Sequence, residues 1–241
     1  MNRTEILDIE FANTSLPETV EYALHLMAER CGEYIVAADT DFVHRYHGNR
    51  RFKYAVDGAG LILPEGNGVM LASRILGSPL FGRISAIDFC SALLARMSGE
   101  GKSLFVLGTD PDTVESACDN ISNRYPGIRL LGSEDGYYSN DDDIVDLINE
   151  LAPDLVLVCH GSPKQEIWMK RYGDSLNVGL MLGLGEGLKF YAGIKERAPK
   201  RWRDSGYEWF YWLVKHPERI VSTFKRLWII FAALQRRFFG N

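Results

Sequence analysis

The chain has 241 residues, 46% of them apolar and 24% charged, and a net charge of −5 at pH 7. This balance is typical of a globular protein and excludes a disordered or collagen-like chain. No apolar run reaches the roughly 20 residues that span a bilayer, and the N-terminus lacks the charged-then-apolar pattern of a signal peptide. We therefore expect a cytosolic α/β protein that consists of one domain and an appendage.

The four cysteines are scattered along the chain, and none of them belongs to a CxxC pair. They are Cys31, Cys90, Cys118 and Cys159. The sequence argues against a zinc site and against a disulfide framework, because both use close or recurrent cysteine spacings. We expect the cysteines to be reduced and buried.

Charge is unevenly distributed along the chain. From Lys195 onward, eleven Lys or Arg stand against four Asp or Glu, a balance of +7 that leaves −12 for the residues before it. The same tail contains four of the five tryptophans. A basic, aromatic tail on an acidic body favours an anionic partner, either a membrane surface or a nucleic acid.

Short apolar runs alternate with helix-like segments over the first 190 residues. Strands are predicted at 6–11, 34–38, 60–64, 104–108, 128–132, in the run after Asp154, and at 178–182. Helices are predicted near 15–30, 42–50, 69–76, 86–97, 112–125, 144–151 and from 164 onward. The alternation predicts a mostly parallel sheet with helices on both faces.

Two helix starts carry capping signals. Ser15 precedes a Pro and Glu18, the pattern of a capped first turn. After the strand at 34–38, Asp41 is predicted to cap the next helix. Asp39 lies at the end of that strand and is instead a candidate for chemistry.

Polar residues follow the predicted strand that begins after Asp154. Lys164, Gln165 and Glu166 come as a helix begins, directly after a Gly-Ser-Pro turn. Ligands of open α/β sheets bind just beyond the carboxyl ends of the strands, so these side chains are candidates for binding and catalysis. The alternative is a solvated first helical turn, in which these residue types are common.

The next strand ends in a second glycine-rich turn. Gly183, Gly185 and Gly187 would let backbone amides approach a phosphate group. We expect this turn and the turn before Lys164 to share one crevice, because the two strands are predicted to be neighbours.

Glu65 also falls at the end of a predicted buried strand, that of residues 60–64. Pro64 stops the strand, and Gly66 and Gly68 leave the backbone open, so the carboxylate is expected at the ligand edge of the sheet. The alternative is that Glu65 caps the helix near 69, a role that Asn67 could fill equally well.

The tail predicts two helices, 207–215 and 217–239, separated at a His-Pro step. In the second, apolar residues recur at spacings of three and four, while Arg219 and Arg226 lie a heptad apart on another face. This basic amphipathic pattern favours a helix at a membrane surface over a C-terminal helix that packs into the core.

Taken together, these residues resemble the WecG/TagA/CpsF family of bacterial glycosyltransferases over nearly the whole chain. The segments that carry the resemblance are Arg83 preceding Asp88, 161–166, 183–193, 197–199, Glu208 with Trp209, Pro217 and Arg219. The resemblance implies a Rossmann-like body, residues 1–194, and a helical appendage, residues 195–241. The appendage would dock on the anionic cytoplasmic face of the inner membrane and complete the active site.

The resemblance also implies an activity. Family members are inverting transferases that need no metal or other cofactor, and they pass N-acetylmannosamine or a related sugar from a UDP donor to a polyprenyl-diphosphate-linked acceptor. Nucleic acid is then no longer expected as a partner, whereas a homo-oligomer stays open.

The sequence departs from the family pattern at four positions: Ala37 replaces a Thr, Asp39 an Asn, Glu65 the proposed catalytic Asp, and Lys189 an Asp. Glu can still act as a base, because its reference pKa lies within about half a unit of that of Asp. We expect the chemistry to be retained and leave the identity of the sugar open.

Roles can be assigned on this basis. Glu65 is the predicted general base, with Asp39 next, and Arg83 is predicted to neutralise the departing diphosphate through bidentate contacts. Gln165 is predicted to contact a sugar hydroxyl or the acceptor. The other predicted substrate-binding residues are Lys164, Glu166, Gly183, Gly185, Gly187, Lys189 and Arg197, with Arg219 and Arg226 on the acceptor pyrophosphate.

Three alternatives accompany this assignment. The Asp39-Thr-Asp41 spacing is also the one with which metal-dependent glycosyltransferases hold a divalent ion on the donor. A dinucleotide-dependent oxidoreductase is disfavoured, because no GxGxxG follows the first strand with an acidic residue about 20 positions later. A catalytically silent sugar-nucleotide binder or membrane scaffold is favoured by Ala37 and Glu65.

Overall fold

A computed structural model of the chain describes residues 1–196 and 227–239, together with positions 199, 202 and 214. The described strands are β1 Arg3–Ile6, β2 Ile9–Ala12, β3 Tyr34–Ala38, β4 Leu61–Pro64, β5 Ser103–Leu107, β6 Arg129–Glu134, β7 Leu155–Val158 and β8 Leu180–Gly183. The described α-helices are α1 Leu16–Glu29, α2 Thr40–Gly48, α3 Arg50–Asp57, α4 Asn67–Leu76, α5 Ala86–Glu100, α6 Pro111–Arg124, α7 Asp141–Leu151, α8 Lys164–Tyr172, α9 Leu188–Tyr191 and α10 Leu227–Phe239.

In the described part of the chain, six strands form one parallel sheet in the order β4-β3-β8-β7-β5-β6. The four central strands are buried and almost continuously apolar, because helices cover both faces of the sheet. Helices α2, α3, α7 and α8 pack on one face and α1, α5, α6 and α9 on the other. This Rossmann-like α/β arrangement confirms the predicted fold class.

The first predicted strand, 6–11, is wrong. Leu7 and Asp8 adopt left-handed conformations, with φ of 49° and 62°, and turn the chain between β1 and β2. The result is an antiparallel hairpin outside the main sheet, since positive φ at both turn residues suits the twist of a two-residue hairpin. It packs against edge strand β4, where Arg3 donates to the carbonyl oxygen of Gly60 at 2.8 Å.

The helix predicted at 42–50 is also corrected. Asn49 ends α2 and caps α3, with its Oδ1 accepting from the Phe52 amide at 3.0 Å. Asp39, rather than Asp41, caps α2, and its Oδ1 accepts from the Phe42 amide at 2.9 Å. The predicted capping box of Ser15 and Glu18 on α1 is confirmed.

Strand β6 lies at the second edge of the sheet, paired with β5. The register shifts between Leu104 and Phe105, so that Leu104 pairs with Leu130 and Phe105 with Gly132. One residue of β6, Leu131, is therefore a bulge. Most residues of β6 are partly exposed, unlike those of the central strands. Of the cysteines, three are buried as predicted, whereas Cys31 is exposed.

Helix α10 packs its inner face onto the body of the protein. Ile229 and Ala233 are fully buried in the core cluster that contains α2 and α4. The Arg236 guanidinium donates to Asp8 at 2.6 Å and to Glu5 at 3.4 Å. The core-packing alternative therefore describes this face, while Leu227, Phe231, Leu234, Phe238 and Phe239 remain exposed on the outside.

The predicted helix 207–215 and the first part of 217–239 lie outside the described residues. Within the described part, no helix is both long enough and apolar enough to cross a membrane.

Candidate active site

The carboxyl ends of β4, β3, β8 and β7 lie side by side in that order. The loops after β3 and β7 lead into helices on one face of the sheet, whereas the loop after β8 leads into α9 on the other. Diverging loops open a crevice at the strand ends, which is the usual ligand site of such sheets. The prediction that the turns after β7 and β8 are neighbours is confirmed.

Glu65 lies at this edge, immediately after β4. Its backbone amide and that of Gly66 both donate to the Ala38 carbonyl oxygen at the end of β3. A Cβ on Gly66 would lie 2.9 Å from the Asp39 Cα, so only glycine lets the two loops approach this closely. Glu65 and Asp39 are thereby held on adjacent strand ends.

The side chain of Glu65 does not cap α4, so the alternative prediction that it caps this helix is wrong. Gly66 occupies the N-cap of α4 without a side-chain hydrogen bond. Instead, Glu65 Oε1 accepts from the Ala86 amide at 2.9 Å, in the first turn of α5. The carboxylate is therefore anchored at one oxygen to a helix N-terminus.

Burial raises the pKa of the Glu65 carboxyl above its ordinary value, and the negative charge of Asp39 raises it further. The Ala86 hydrogen bond and the positive charge of Arg83 lower the pKa and offset part of this increase. A carboxylate whose pKa moves toward neutrality is a stronger base at physiological pH. Glu65, Asp39 and Arg83, all predicted as site residues, therefore influence one another electrostatically.

Asp39 directly follows β3 and is also the N-cap residue of α2. One of its oxygens is engaged by the Phe42 amide, while Asp41 is exposed in the first turn of α2. Across the described ranges, no group of three or more His, Cys, Asp or Glu side chains is arranged to hold a metal ion.

The turn after β8 lies against the polar segment after β7. Gly185 adopts a φ of 51°, and a Cβ there would lie 3.2 Å from Gln165 Oε1. The amide of Leu184 donates to Val158 and that of Gly187 to Leu184, both at 3.0 Å. The Leu184 and Gly187 amides thus donate within the protein. The predicted phosphate contacts would have to come from other amides of this turn.

The alternative of a solvated first helical turn is correct for Lys164 and wrong for the next two residues. Lys164 is exposed, with its ammonium 5.8 Å from the centre of the Tyr138 ring. Gln165 and Glu166 are 6% and 1% exposed. Gln165 Nε2 donates to Glu166 Oε1 at 2.9 Å, so the two side chains form a buried polar pair.

Four further residues at the crevice are not among the predicted site residues. Arg45 on α2 donates to Ser162 Oγ at 2.7 Å, and Tyr138 shares a 2.9 Å hydrogen bond with His160 Nε2. Burial and the charge of Lys164 lower the pKa of His160 to about 4, so the ring is neutral at pH 7. His160 precedes Gly161 at a strand end, and the criterion that selected Gln165 could have found it.

Lys189 forms an ion pair within the turn after β8. Its ammonium lies 3.0 Å from Glu186, which Lys195 also contacts at 2.8 Å. The two lysines, Lys195 first, lower the pKa of Glu186. The predicted contacts of Arg197, Arg219 and Arg226 fall outside the described residues.

Comparison with known proteins gives the family of the chain. The sequence profile of the glycosyl transferase WecG/TagA/CpsF family matches residues 4–241. The chain belongs to that family.

Similar proteins include N-acetylglucosaminyldiphosphoundecaprenol N-acetyl-beta-D-mannosaminyltransferases from two organisms. The Bacillus spizizenii enzyme is 28% identical over 220 residues, 91% of this chain and 86% of the relative. The Staphylococcus aureus enzyme is 30% identical over 211 residues, which are 87% of this chain and 83% of the relative.

In this member of the WecG/TagA/CpsF family, the crevice has two chemically different sides. The ends of β3 and β4 carry two carboxylates and Arg83, a set suited to proton removal and to charge neutralisation. The ends of β7 and β8 carry Gln165 and Glu166 beside a glycine turn, a set suited to hydrogen bonding with a polar ligand.

Proposed function

We propose that this chain transfers a hexose from a UDP donor to a polyprenyl-diphosphate-linked saccharide in cell-surface polysaccharide synthesis. The hexose would be N-acetylmannosamine, its uronate or a related sugar. Family membership and the names of the relatives from Bacillus spizizenii and Staphylococcus aureus support the proposal. The observation that carries it is the anchored, half-buried carboxylate of Glu65 under the influence of Arg83 at the strand ends.

The proposed reaction is a single displacement with inversion at the anomeric carbon. Glu65 takes the proton of the acceptor hydroxyl, whose oxygen bonds to the anomeric carbon while the bond from that carbon to the UDP oxygen breaks. Negative charge then collects on the departing diphosphate, where Arg83 stabilises it with bidentate contacts. One base and one charge-neutralising group are enough, because the diphosphate is already a good leaving group.

We further propose that the protein works on the cytoplasmic face of the membrane, where such an acceptor is anchored. The exposed apolar side chains on the outer face of α10 supply contact area, and the +7 balance of residues 195–241 supplies attraction to anionic lipid. Because the inner face of α10 packs on the body, this docking would hold the crevice close to the lipid surface.

The direct test uses the purified full chain with a panel of UDP-sugars and polyprenyl-diphosphate-linked N-acetylglucosamine in detergent or vesicles. The panel contains UDP-N-acetylmannosamine, its uronate, UDP-N-acetylglucosamine and UDP-glucose. Mass spectrometry detects the extended lipid, and NMR of the product gives the anomeric configuration. We expect a β-linked product from an α-linked donor with one of these sugars.

Two controls make the outcome interpretable. Omitting the acceptor should abolish UDP release above background hydrolysis, and Glu65→Gln should bind UDP without transferring sugar. Binding of UDP-sugars without transfer from any donor to this acceptor would count against the proposed function and support a silent sugar-nucleotide binder.

A further inference from the structure

We propose that Arg45, Ser162 and Glu166 are positioning residues that orient the Gln165 amide so that its carbonyl oxygen accepts a hydrogen bond from the sugar of the donor. The inference rests on the proposed function, and it adds a role for three residues that do not themselves contact the reacting atoms. The donor group on the ligand would be a sugar hydroxyl or the N–H of an acetamido substituent.

The first contact connects two loops of the crevice. Arg45 lies half-buried on α2, with its guanidinium carbon 5.5 Å from the centre of the Phe52 ring. Its terminal nitrogen donates to Ser162 Oγ at 2.7 Å, from the helix after β3 to the turn after β7. A charged donor braced against an aromatic ring makes a strong and directional bond.

The second contact concerns the charge state of Glu166, which is 1% exposed. Burial raises the pKa of this carboxyl, while hydrogen bonds from its own backbone and from Gln165, the Ser162 hydroxyl and the Arg45 charge lower it. Glu166 Oε2 has no hydrogen-bond partner among the described residues, and the nearby Arg45 charge adds to the effect of the backbone, Gln165 and Ser162 in offsetting its burial. Together these neighbours offset part of the increase that burial causes.

The Glu166 side chain fixes the orientation of the amide beside it. Gln165 turns its NH₂ group toward Glu166, because Nε2 can only donate and its partner Oε1, 2.9 Å away, accepts. The carbonyl oxygen of Gln165 then points the other way, toward Gly185 in the turn after β8. The acceptor is therefore presented at the meeting point of the β7 and β8 loops.

The Gln165 carbonyl oxygen is buried and has no hydrogen-bond partner within the described part of the chain. A buried acceptor without a donor is destabilising, so such atoms are rare unless a ligand or water supplies the donor. Glycine at position 185 keeps the space beside this oxygen free of a side chain. A sugar bound between the two loops would supply the missing donor.

The test is a double-mutant cycle built on Glu166→Gln and Gln165→Ala. Glutamine at 166 has nearly the shape of glutamate but can donate as well as accept, so the Gln165 amide is no longer held in one orientation. We expect kcat to fall by roughly tenfold to a hundredfold, because misplaced contacts cost rate before they cost UDP affinity. In the Gln165→Ala background, Glu166→Gln should change kcat by less than about twofold.

Arg45→Gln and Ser162→Ala test the outer part of the chain of contacts. Arg45→Lys should retain more of the rate than Arg45→Gln, because it keeps the positive charge. It should not retain the full rate, because it lacks the planar set of guanidinium N–H donors. Arg50→Gln, at an exposed position on α3, is the matched control and should leave kcat unchanged. Melting curves of every variant identify those that lose the fold. Multiplicative losses in the cycle, or an unchanged kcat in Glu166→Gln, would overturn the proposal.

Calorimetry with UDP and with UDP-N-acetylmannosamine separates this inference from the proposed function. The ratio of the two affinities reports contacts to the sugar alone. We expect Glu166→Gln to change that ratio severalfold in the wild-type background and to leave it unchanged in Gln165→Ala. Absence of transfer by the wild-type chain would refute the proposed function, whereas an unchanged ratio in Glu166→Gln would refute only the positioning role.

Discussion

The Glu65 carboxylate accepts a hydrogen bond from the Ala86 amide at 2.9 Å, so the end of β4 is attached to the first turn of α5. One carboxylate oxygen is committed to this bond, and the helix N-terminus to which it points favours the ionised form. Burial opposes ionisation and raises the pKa. Glu65 is therefore held in place at the helix N-terminus and made more basic by its surroundings.

Replacing Glu65 with Gln should separate catalysis from structure. The Gln carbonyl oxygen can still accept from Ala86, so the fold, the melting temperature and the UDP affinity should be retained. Turnover should fall by at least about a hundredfold, because a positioned base contributes roughly 10²–10⁴-fold in rate. Glu65→Asp should keep part of the activity. Steady-state kinetics and calorimetry measure both effects, and near-wild-type turnover in Glu65→Gln would move the role to Asp39.

The pH dependence of kcat should report the same carboxylate. A base works only when deprotonated, so the rate should rise with pH through the pKa of Glu65, at a midpoint above the ordinary value for a glutamate. Because the Arg83 charge lowers this pKa, Arg83→Gln should shift the acidic limb to higher pH. The quantity to compare is the pH midpoint of the rise in kcat, not the maximal rate. A shift to lower pH would contradict the assignment.

His160 should make the protein sensitive to acid. Burial, then the charge of Lys164, lowers its folded pKa to about 4, from 6.5 when unfolded. Between these values the unfolded chain binds a proton that the folded chain does not, so stability should fall as pH drops from 6.5 toward 4. The loss is on the order of 2 kcal/mol. Denaturant titrations should show this slope in wild type and a flatter one in His160→Gln.

The two faces of α10 should respond differently to substitution. Ile229→Ala removes a fully buried side chain and should cost about 2–5 kcal/mol of packing, detected as faster proteolysis of the C-terminal segment. Phe231→Ser changes a side chain that is 67% exposed, and should leave the melting temperature unchanged while weakening sedimentation with anionic vesicles. These two substitutions are more specific than deleting the C-terminal segment, because a deletion would also uncover the core. Equal vesicle binding by Phe231→Ser would argue against docking through this face.

Chelation should leave transfer intact if the proposed mechanism holds. Arg83 supplies positive charge close to Glu65, and one Asp39 oxygen is already engaged by the Phe42 amide. Turnover is compared in buffer, in EDTA, and in EDTA followed by excess manganese. Loss of turnover in EDTA and recovery with manganese would instead support a divalent ion at Asp39 and Asp41.

The strand ends were the most predictable part of the site. The positions of Glu65, Asp39 and Gln165 at one edge of the sheet are predictable, because continuous apolar runs locate buried strands and parallel strands present their carboxyl ends at one edge. Arg45 was not found, because its contact with Ser162 depends on how α2 lies across the next loop. Nothing within the helix distinguishes this basic residue from its neighbours.

Errors in the fold prediction have local causes. The hairpin resembles one strand in sequence, because apolar residues recur from Ile6 to Phe11 and neither Leu7 nor Asp8 is a glycine, the usual residue at positive φ. Asn49 falls inside the predicted helix 42–50, although its side chain caps a second helix, α3, that is not among the predicted helices. The core-facing side of α10 was missed because the exposed aromatic residues dominate its composition.

The two edges of the sheet carry different risks of self-association. The hairpin lies against β4 and leaves little room there for a strand from another molecule. At the opposite edge, the bulge at Leu131 breaks the regular spacing of donors and acceptors along β6, and Arg129 is exposed at its start. An incoming strand would meet an irregular, charged edge that it could not pair with over its length. The fold thus protects a highly apolar sheet from aggregation at both of its borders.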